Sequence, residues 1–541
     1  MNKYVVVASF LMIGVVVGMT KGSVGMTKRL CSLVMRSSKM TLAPPPRATQ
    51  VLAITGGIAM GKSTIVEQLT KTFGIRVHDS DAAVHRLYGA QGAAVAPINT
   101  AFGNVLNADG GIDRGKLSAA LQNAKNQSEA FRRLEAIVHP LVRQDREQFI
   151  EKEKLRGSWL CAVDIPLLFE SADSTILKEH IDKVLVVTCR SEEEQKRRAL
   201  ERPGMTVAKL EAILARQLKD EERIEKADFI IDTSHYDRAA ARAQLANIIE
   251  HLFYDHQVFQ KQVAQLSNKR TIRRVSIDLD DTVWPTMSGV KAAHIKSQNL
   301  MPKLMPKSHK ALNGQDPYAR VNLGNPNALR DTEHAFLSHD ITAKRRLALR
   351  QLAQEHGDPI ENADALLEAI IHERSVVAAH NLFPGALDLI SALKKELGHH
   401  VHIGALTNGN AKPLPGHALA DALDFWLQAQ AVGAQKPRLA SFLAVTSCLP
   451  GTGLFYESSP SSLQHSACSL KDLVHIGDSL HDDGLGALRA GARAIIIPTS
   501  RIHIDTTLLA DFDPNDYAIV QSFKDIPTII RKWNLLDAAS C

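Results

Sequence analysis

Residues Gly56 to Ser63 read Gly-Gly-Ile-Ala-Met-Gly-Lys-Ser, a complete GxxxxGK[ST] phosphate loop. Glycines at that spacing let successive backbone N–H groups close around phosphate oxygens. Lys62 adds a mobile positive charge, and the Ser63 hydroxyl can hold Mg²⁺. Gly56, Gly57, Ile58, Ala59, Met60, Gly61, Lys62, Ser63 and Thr64 are therefore candidate nucleotide-binding residues, with Ser63 also a candidate metal ligand. A glycine-rich turn that fits by chance is the competing reading. The flanks oppose it: an apolar run, Val51 to Ile54, precedes the loop, and an amphipathic helix follows, its positive end aimed at the same anion.

Two Asp-x-Asp pairs offer acid–base or nucleophilic chemistry. Asp79-Ser80-Asp81 ends the expected second strand, where a carboxylate can take a hydroxyl proton during in-line phosphoryl transfer. A solvated turn is the alternative for such a pair. Asp278-Leu279-Asp280-Asp281-Thr282 closes another apolar strand, Arg274 to Ile277. There one carboxylate can attack phosphorus and the next can protonate the leaving oxygen.

The elements that must position these groups alternate apolar strands with helical patterns, the signature of parallel sheets flanked by helices. Leu160 to Ile165, Val184 to Cys189 and Phe229 to Ile231 read as buried strands of the first half. Ser191 and Glu194 form a capping box opening a basic helix that Pro203-Gly204 stops. A length of 541 residues exceeds one core and suggests about three to four domain-sized units. The divisions read are a leader over 1–49, a nucleotide domain over 50–254, a linker or terminal helix over 255–270 and a second α/β domain over 271–541.

The net charge of +6 belongs to the leader, because residues 1–49 carry seven Lys/Arg and no acid, so the remainder sums to −1. No nucleic-acid partner follows from that balance. Six scattered cysteines without CxxC spacing fit a reducing compartment. Tyr4 to Met19 is almost wholly apolar, then come basic and Ser residues and Pro44-Pro45-Pro46, and the first acid is Glu67. Three readings stay open. They are organelle targeting to a mitochondrion or plastid, a short membrane anchor, or a gene start at Met26, Met35 or Met40, which would leave a cytoplasmic protein.

Residues 50–250 resemble the dephospho-coenzyme A kinases. The resemblance rests on Thr55-Gly56-Gly57-Ile58, Asp79-Ser80-Asp81, His139-Pro140 and Pro166-Leu167-Leu168-Phe169-Glu170. It continues through Gln195, Arg198 and Arg202, Arg216-Gln217 and Ala227 to Asp232. It implies a three-layer P-loop kinase fold that binds ATP, Mg²⁺ and dephospho-coenzyme A. Asp81 would act as base on the ribose 3′-hydroxyl, Lys62 and the loop amides would hold ATP, and Arg198 and Arg202 would face the transferring phosphoryl charge. Asp79, His139 and Arg216 would line the substrate pocket. Two positions depart from the family pattern. Met60 stands where a small residue is usual, and Pro203-Gly204 where the lid turn is often Asp-rich.

Residues 271–540 resemble the haloacid dehalogenase superfamily through Asp278-x-Asp280, Leu406-Thr407-Asn408-Gly409-Asn410, Lys436-Pro437 and Ile476-Gly477-Asp478 to Asp483. The resemblance implies a Rossmann-like domain with a helical cap inserted at about 286–395. It makes Asp278 nucleophile and Mg²⁺ ligand, and Asp280 general acid/base and a further candidate ligand. Thr407, Asn408 and Lys436 would bind phosphate, and Asp478 with Asp483, or Asp482, would complete the metal site. Hard oxygen ligands suit Mg²⁺. Within the cap, Ser297 to Thr332 reads as loose; another insertion, Ser447 to Ser469, reads as a surface loop.

The composite expectation is a kinase that makes coenzyme A, fused to a Mg²⁺-dependent phosphatase acting on a phosphomonoester the sequence does not identify. Oligomeric state is equally illegible. The alternatives are another small-metabolite or nucleoside kinase, and a second half that only binds or scaffolds.

Overall fold

The computed structural model describes residues 49–170, 180–215, 217–234, 238–263, 270–318, 340–447, 468–498 and 505–539. The leader, Arg216, most of the 447–469 stretch and residues 319–339 fall outside this set.

The first domain is a five-stranded parallel sheet in the order β2-β3-β1-β4-β5. Its strands are β1 (Gln50–Thr55), β2 (Val77–Asp79), β3 (Leu160–Asp164), β4 (Lys183–Thr188) and β5 (Phe229–Asp232). All six β1 residues are buried, as expected for a central strand covered on both faces. The chain leaves β1 towards β2 on one side and later fills β4 on the other. The crevice at the C-terminal end of β1 is therefore the switch point where such sheets bind ligands. The helices that matter there are α1 (Lys62–Phe73), α2 (Ser80–Leu87), α3 (Gln127–Leu155), α4 (Glu192–Leu200) and α5 (Arg238–Val263).

The second domain repeats the logic with six parallel strands ordered β11-β10-β9-β6-β7-β8. They are β6 (Arg274–Ile277), β7 (His402–Thr407), β8 (Phe425–Gln428), β9 (Leu473–Gly477), β10 (Arg493–Ile496) and β11 (Tyr517–Ile519). Here β6 lies at the switch point, flanked by β7 and β9. The inserted cap comprises α6 (Thr286–Leu304), α7 (Pro306–Leu312), α8 (Ile341–His356) and α9 (Ile360–His380).

Three boundaries can be drawn more closely. Residues 255–263 continue α5, the terminal-helix alternative to a linker, with Phe253 edge-on to Trp159 and the buried His256 tilted against the same ring. Residues 297–312 are helical rather than loose, since Met301 and Met305 pack into the cap's own core. The cap also ends near 380. Helix α10 (Ala386–Leu397) buries Leu389, Ile390 and Leu393 against the β6–β7 core and belongs to the main domain.

One apolar cluster is shared by the two domains. Helix α11 (Leu439–Ser447) starts just beyond Lys436 and places Phe442, Leu443 and Val445 in one apolar cluster with Ile65, Leu69 and Phe73 of α1 and Leu245, Ile249 and Leu252 of α5. Polar contacts fix the register of this seam. Arg438 pairs with Glu250 at 2.6 Å, Glu250 also accepts from the Ala440 amide, and the Ser447 hydroxyl donates to the Phe73 carbonyl. We expect one cooperative thermal transition for the chain. Phe442→Ala should destabilise both halves together by about 3–5 kcal/mol, read by denaturant unfolding followed at both activities. Two transitions, with only the second domain weakened, would show that the cores act separately.

Candidate functional sites

In the first domain Gly61 adopts φ +88°, a left-handed conformation that costs glycine little, and it caps the N-terminus of α1. Lys62 and the exposed Ser63 follow at once on the first helical turn. Met60 does not crowd the loop: it is buried, and its sulfur accepts the Cys189 amide. Gln217 and Gln195 clamp Ile58 from both sides, accepting its N–H and donating to its carbonyl. One loop amide is thus already occupied by Gln217.

Lys62 Nζ pairs at 2.5 Å with Asp164, the last residue of β3. Asp164 stands in register with Ile54 of β1 and Asp79 of β2, so three strand ends meet beside the phosphate loop. Burial raises the Asp164 carboxyl, Lys62 opposes that, and the charges of Asp79 and Asp81 add to it. Asp164 was not singled out from the sequence. An acid closing a buried strand was its only signal.

The Asp-x-Asp pair divides its work. Asp79 caps α2 by accepting the Ala82 amide at 3.0 Å, a structural duty. Asp81 is exposed on the first turn, and no side-chain hydrogen bond or ion pair to it occurs among the described residues. The Ser80 hydroxyl, donating to the Asp164 carbonyl, holds the turn in place. His139 is exposed on α3, and Arg216 lies outside the described residues.

The two lid arginines also separate. Arg198 donates to the Thr233 hydroxyl and carbonyl while bonding Glu194, and Thr233 in turn donates to the Met60 carbonyl. Arg198 is thereby braced next to Gly61. Arg202 is exposed beyond the end of α4 and forms no such contact among the described residues. Ser191 caps α4 as expected, but Glu194 turns to Arg197 and Arg198 rather than closing a capping box.

In the second domain Asp278, Asp478 and Asp483 bring carboxylate oxygens within 4.8 Å of one another. Lys436 Nζ lies 2.5 Å from Asp278 and 2.6 Å from Asp483. Burial alone would lower the lysine, yet the two carboxylates hold it above its usual range. Burial pushes Asp278 well up, against Lys436. For Asp483, Lys436 and His475 outweigh burial and hold the acid below its usual range. Asp478 is pushed up to about 6 by burial and by the charges of Asp483 and Asp281.

Three converging carboxyls face one lysine, two of them are held above their usual range by burial and neighbouring acids, and the donors are hard oxygens. The set therefore fits a divalent cation such as Mg²⁺. Thr282 donates towards both Asp278 and Asp478, at 3.3 Å each, and His475 reaches Asp483 at 3.0 Å. Neither residue was given a role from the sequence. Lys436→Met should destabilise the fold by about 3–5 kcal/mol in metal-free buffer, because it strands two facing buried acids. Equilibrium unfolding with and without Mg²⁺ checks this, the cation recovering part of the loss.

Two readings need correcting here. Asp280 is not part of the cation cluster among the described residues: its carboxylate accepts from Trp284 Nε1 at 2.8 Å and faces Arg374 at 3.6 Å. Asn408 is a strut rather than a free phosphate ligand, since it exchanges hydrogen bonds with the Lys436 backbone, N–H to side-chain oxygen and side-chain nitrogen to carbonyl. Thr407 ends β7, buried, accepting the Gly409 amide. A Cβ at Gly409 would fall 1.8 Å from Asp280 Oδ2, so a side chain there would displace that carboxylate. Asp482 turns away to His481 and Asn408, leaving Asp483 as the inward acid.

Fold and sites together define a P-loop phosphotransferase joined to a cap-bearing, aspartate-based hydrolase. Comparison with known proteins agrees. The dephospho-CoA kinase family model matches residues 50–237, and the haloacid dehalogenase-like hydrolase model matches 272–491. A dephospho-CoA kinase of Mesorhizobium japonicum is 46% identical over 203 residues, covering 37% of this chain and 96% of that protein. One from Rhodopseudomonas palustris is 42% identical over 200 residues, covering 37% and 94%. Among solved structures, a 2-haloacid dehalogenase from Pseudomonas syringae aligns with a TM-score of 0.37 and 26% identity, covering 49% of this chain and all of that one. The chain belongs to the dephospho-CoA kinase family and carries a haloacid dehalogenase-like hydrolase domain in addition. No helix among the described residues is long and apolar enough to cross a membrane.

Proposed function

We propose that residues 50–254 transfer the γ-phosphoryl group of ATP to the ribose 3′-hydroxyl of dephospho-coenzyme A, and that residues 271–541 hydrolyse a phosphomonoester. In the first reaction the 3′-oxygen bonds to the γ-phosphorus as the β–γ bridging bond breaks, and ADP leaves. Asp81 takes the hydroxyl proton. Lys62, released from Asp164, moves onto the phosphates, and Arg198 stands beside the loop as the fixed guanidinium. Ser63 would hold the Mg²⁺ that accompanies the nucleotide. The observation that carries this reading is the free, exposed Asp81 set by Ser80 beside the Lys62–Asp164 pair.

In the second reaction an Asp278 oxygen bonds to phosphorus while the ester oxygen leaves with a proton from Asp280. Asp280 then takes a proton from the water that hydrolyses the aspartyl phosphate, returning Asp278 and releasing phosphate. Asp278, Asp478 and Asp483 would hold a cation that neutralises charge on the phosphoryl oxygens. Lys436 reaches the cluster at Asp278, and with Thr407 it would bind the phosphoryl oxygens.

The test incubates the full chain with ATP, Mg²⁺ and dephospho-coenzyme A and reads the product by mass. Coenzyme A is expected; a product only with nucleoside monophosphates would reassign the acceptor. Mg²⁺-dependent release of phosphate from phenyl phosphate tests the second site, and its absence would leave that domain a binding module. The basic, acid-free composition of residues 1–49 favours organelle targeting. A fluorescent fusion of that segment tests it, a diffuse signal counting against.

A further inference from the structure

A cavity of about 670 Å³ lies within the cap, within the size range of small-molecule sites. Val290, Ala293, Met301 and Ile370 give it apolar walls, and two guanidinium groups, Arg345 and Arg374, line it. Arg374 is only 7% exposed and joins the cavity to the reacting groups: one terminal nitrogen sits 3.6 Å from Asp280, and another donates to Asn410. Its Nε is buried without a partner.

Arg345 has no counterpart to Asp280. Among the described residues it pairs with no carboxylate, and its guanidinium lies 5.8 Å from the centre of the Tyr318 ring. Burial draws it below its usual range, and the charge of Arg374 adds to that. Asp316 also lines the cavity, but it is exposed and acts on Arg345 less than Arg374 does. His294 and His309 contribute further hydrogen-bonding groups. On the phosphohydrolase reading the phosphoryl group would sit with Lys436 and Thr407, which leaves the cavity beyond Arg374 for the leaving group.

Resting on the phosphohydrolase reading above, we infer that the hydrolase takes phosphomonoesters whose leaving group is largely apolar and bears a second anion, a carboxylate or a second phosphate, which pairs with Arg345. A guanidinium paired with no carboxylate among the described residues, beside apolar walls, favours such a body over a neutral or polyhydroxylated one, because the planar fork pairs with either anion.

The probes are 4-methylbenzylphosphonate, 4-carboxybenzylphosphonate and the 1,4-xylylene diphosphonate, which cannot be hydrolysed. Calorimetry on the full chain with Mg²⁺ measures their affinity, and the matching aryl phosphates measure turnover. At least one anionic probe should bind about tenfold or more tightly than the methyl compound, and which one does so separates carboxylate from phosphate. Arg345→Met should bring that ratio towards one, and Arg345→Lys should keep part of it. Equal binding of all three by the unaltered protein overturns the inference even if the aryl phosphates turn over. Persistence of the Arg345-dependent ratio without any turnover supports the cavity assignment and defeats the phosphohydrolase reading.

Discussion

Asp278→Asn is expected to lower phosphomonoester hydrolysis by at least about 10⁴-fold, as removal of a nucleophile does, without weakening the metal-free fold. Lys436 bridges Asp278 and Asp483. Removing one of these two acids leaves a lysine–carboxylate pair, whereas removing the lysine leaves two facing charges. The amide keeps an oxygen that can accept from Lys436. What it loses is a ligand of the three-acid cluster and the attacking oxygen. The rise in melting temperature that Mg²⁺ gives the unaltered chain should therefore shrink in the variant, by the linkage between ligand binding and stability. Hydrolysis within tenfold of the unaltered protein would take the nucleophile's role away from Asp278. A metal-free variant that unfolds early would instead show that the acid holds the site together.

The catalytic positions could be read because they sit where short-range rules operate. A phosphate loop is contiguous, and its strand and helix announce themselves on either side. The Asp-x-Asp of β6 falls at the end of an apolar run, as a reactive pair at a switch point should. Residues whose work depends on distant partners were not legible. Asp164 gains meaning only because β3 is inserted between β1 and β2, which puts it against Lys62. Arg374 sits on a cap helix, and only the return of the chain into β7 brings it to Asp280 and Asn410. Asn408 looked like a phosphate ligand because it neighbours Thr407, yet its amide matches the backbone of Lys436. The seam between the domains was invisible for a further reason. Leu439 to Val445 is apolar nearly throughout and reads as a helix buried in its own domain, so nothing local shows that α1 and α5 cover it.

Asp81→Asn is expected to slow phosphoryl transfer to dephospho-coenzyme A by about 10²–10⁴-fold, the usual contribution of a positioned base, while ATP affinity changes little. Asp79→Asn supplies the contrast. Asp79 accepts a backbone amide as the cap of α2, and asparagine caps as well as aspartate does, so that variant should stay within about tenfold of the original. Both changes remove one negative charge near Asp164, which both acids influence. The pair therefore separates proton transfer from simple loss of charge, and equal losses in the two would remove the base from Asp81. Hydrolysis at the second site should survive in both variants, although the domains share a core. Asp79 and Asp81 are exposed at a sheet end, whereas the seam is held by the buried face of α1 and by α5 and α11. Neither substitution touches Ile65, Leu69 and Phe73 or the α5 and α11 residues packed on them, so neither should destabilise the seam. Loss of hydrolysis in Asp81→Asn, with the melting temperature unchanged, would show that the kinase site acts on the second site through the α1–α11 contact.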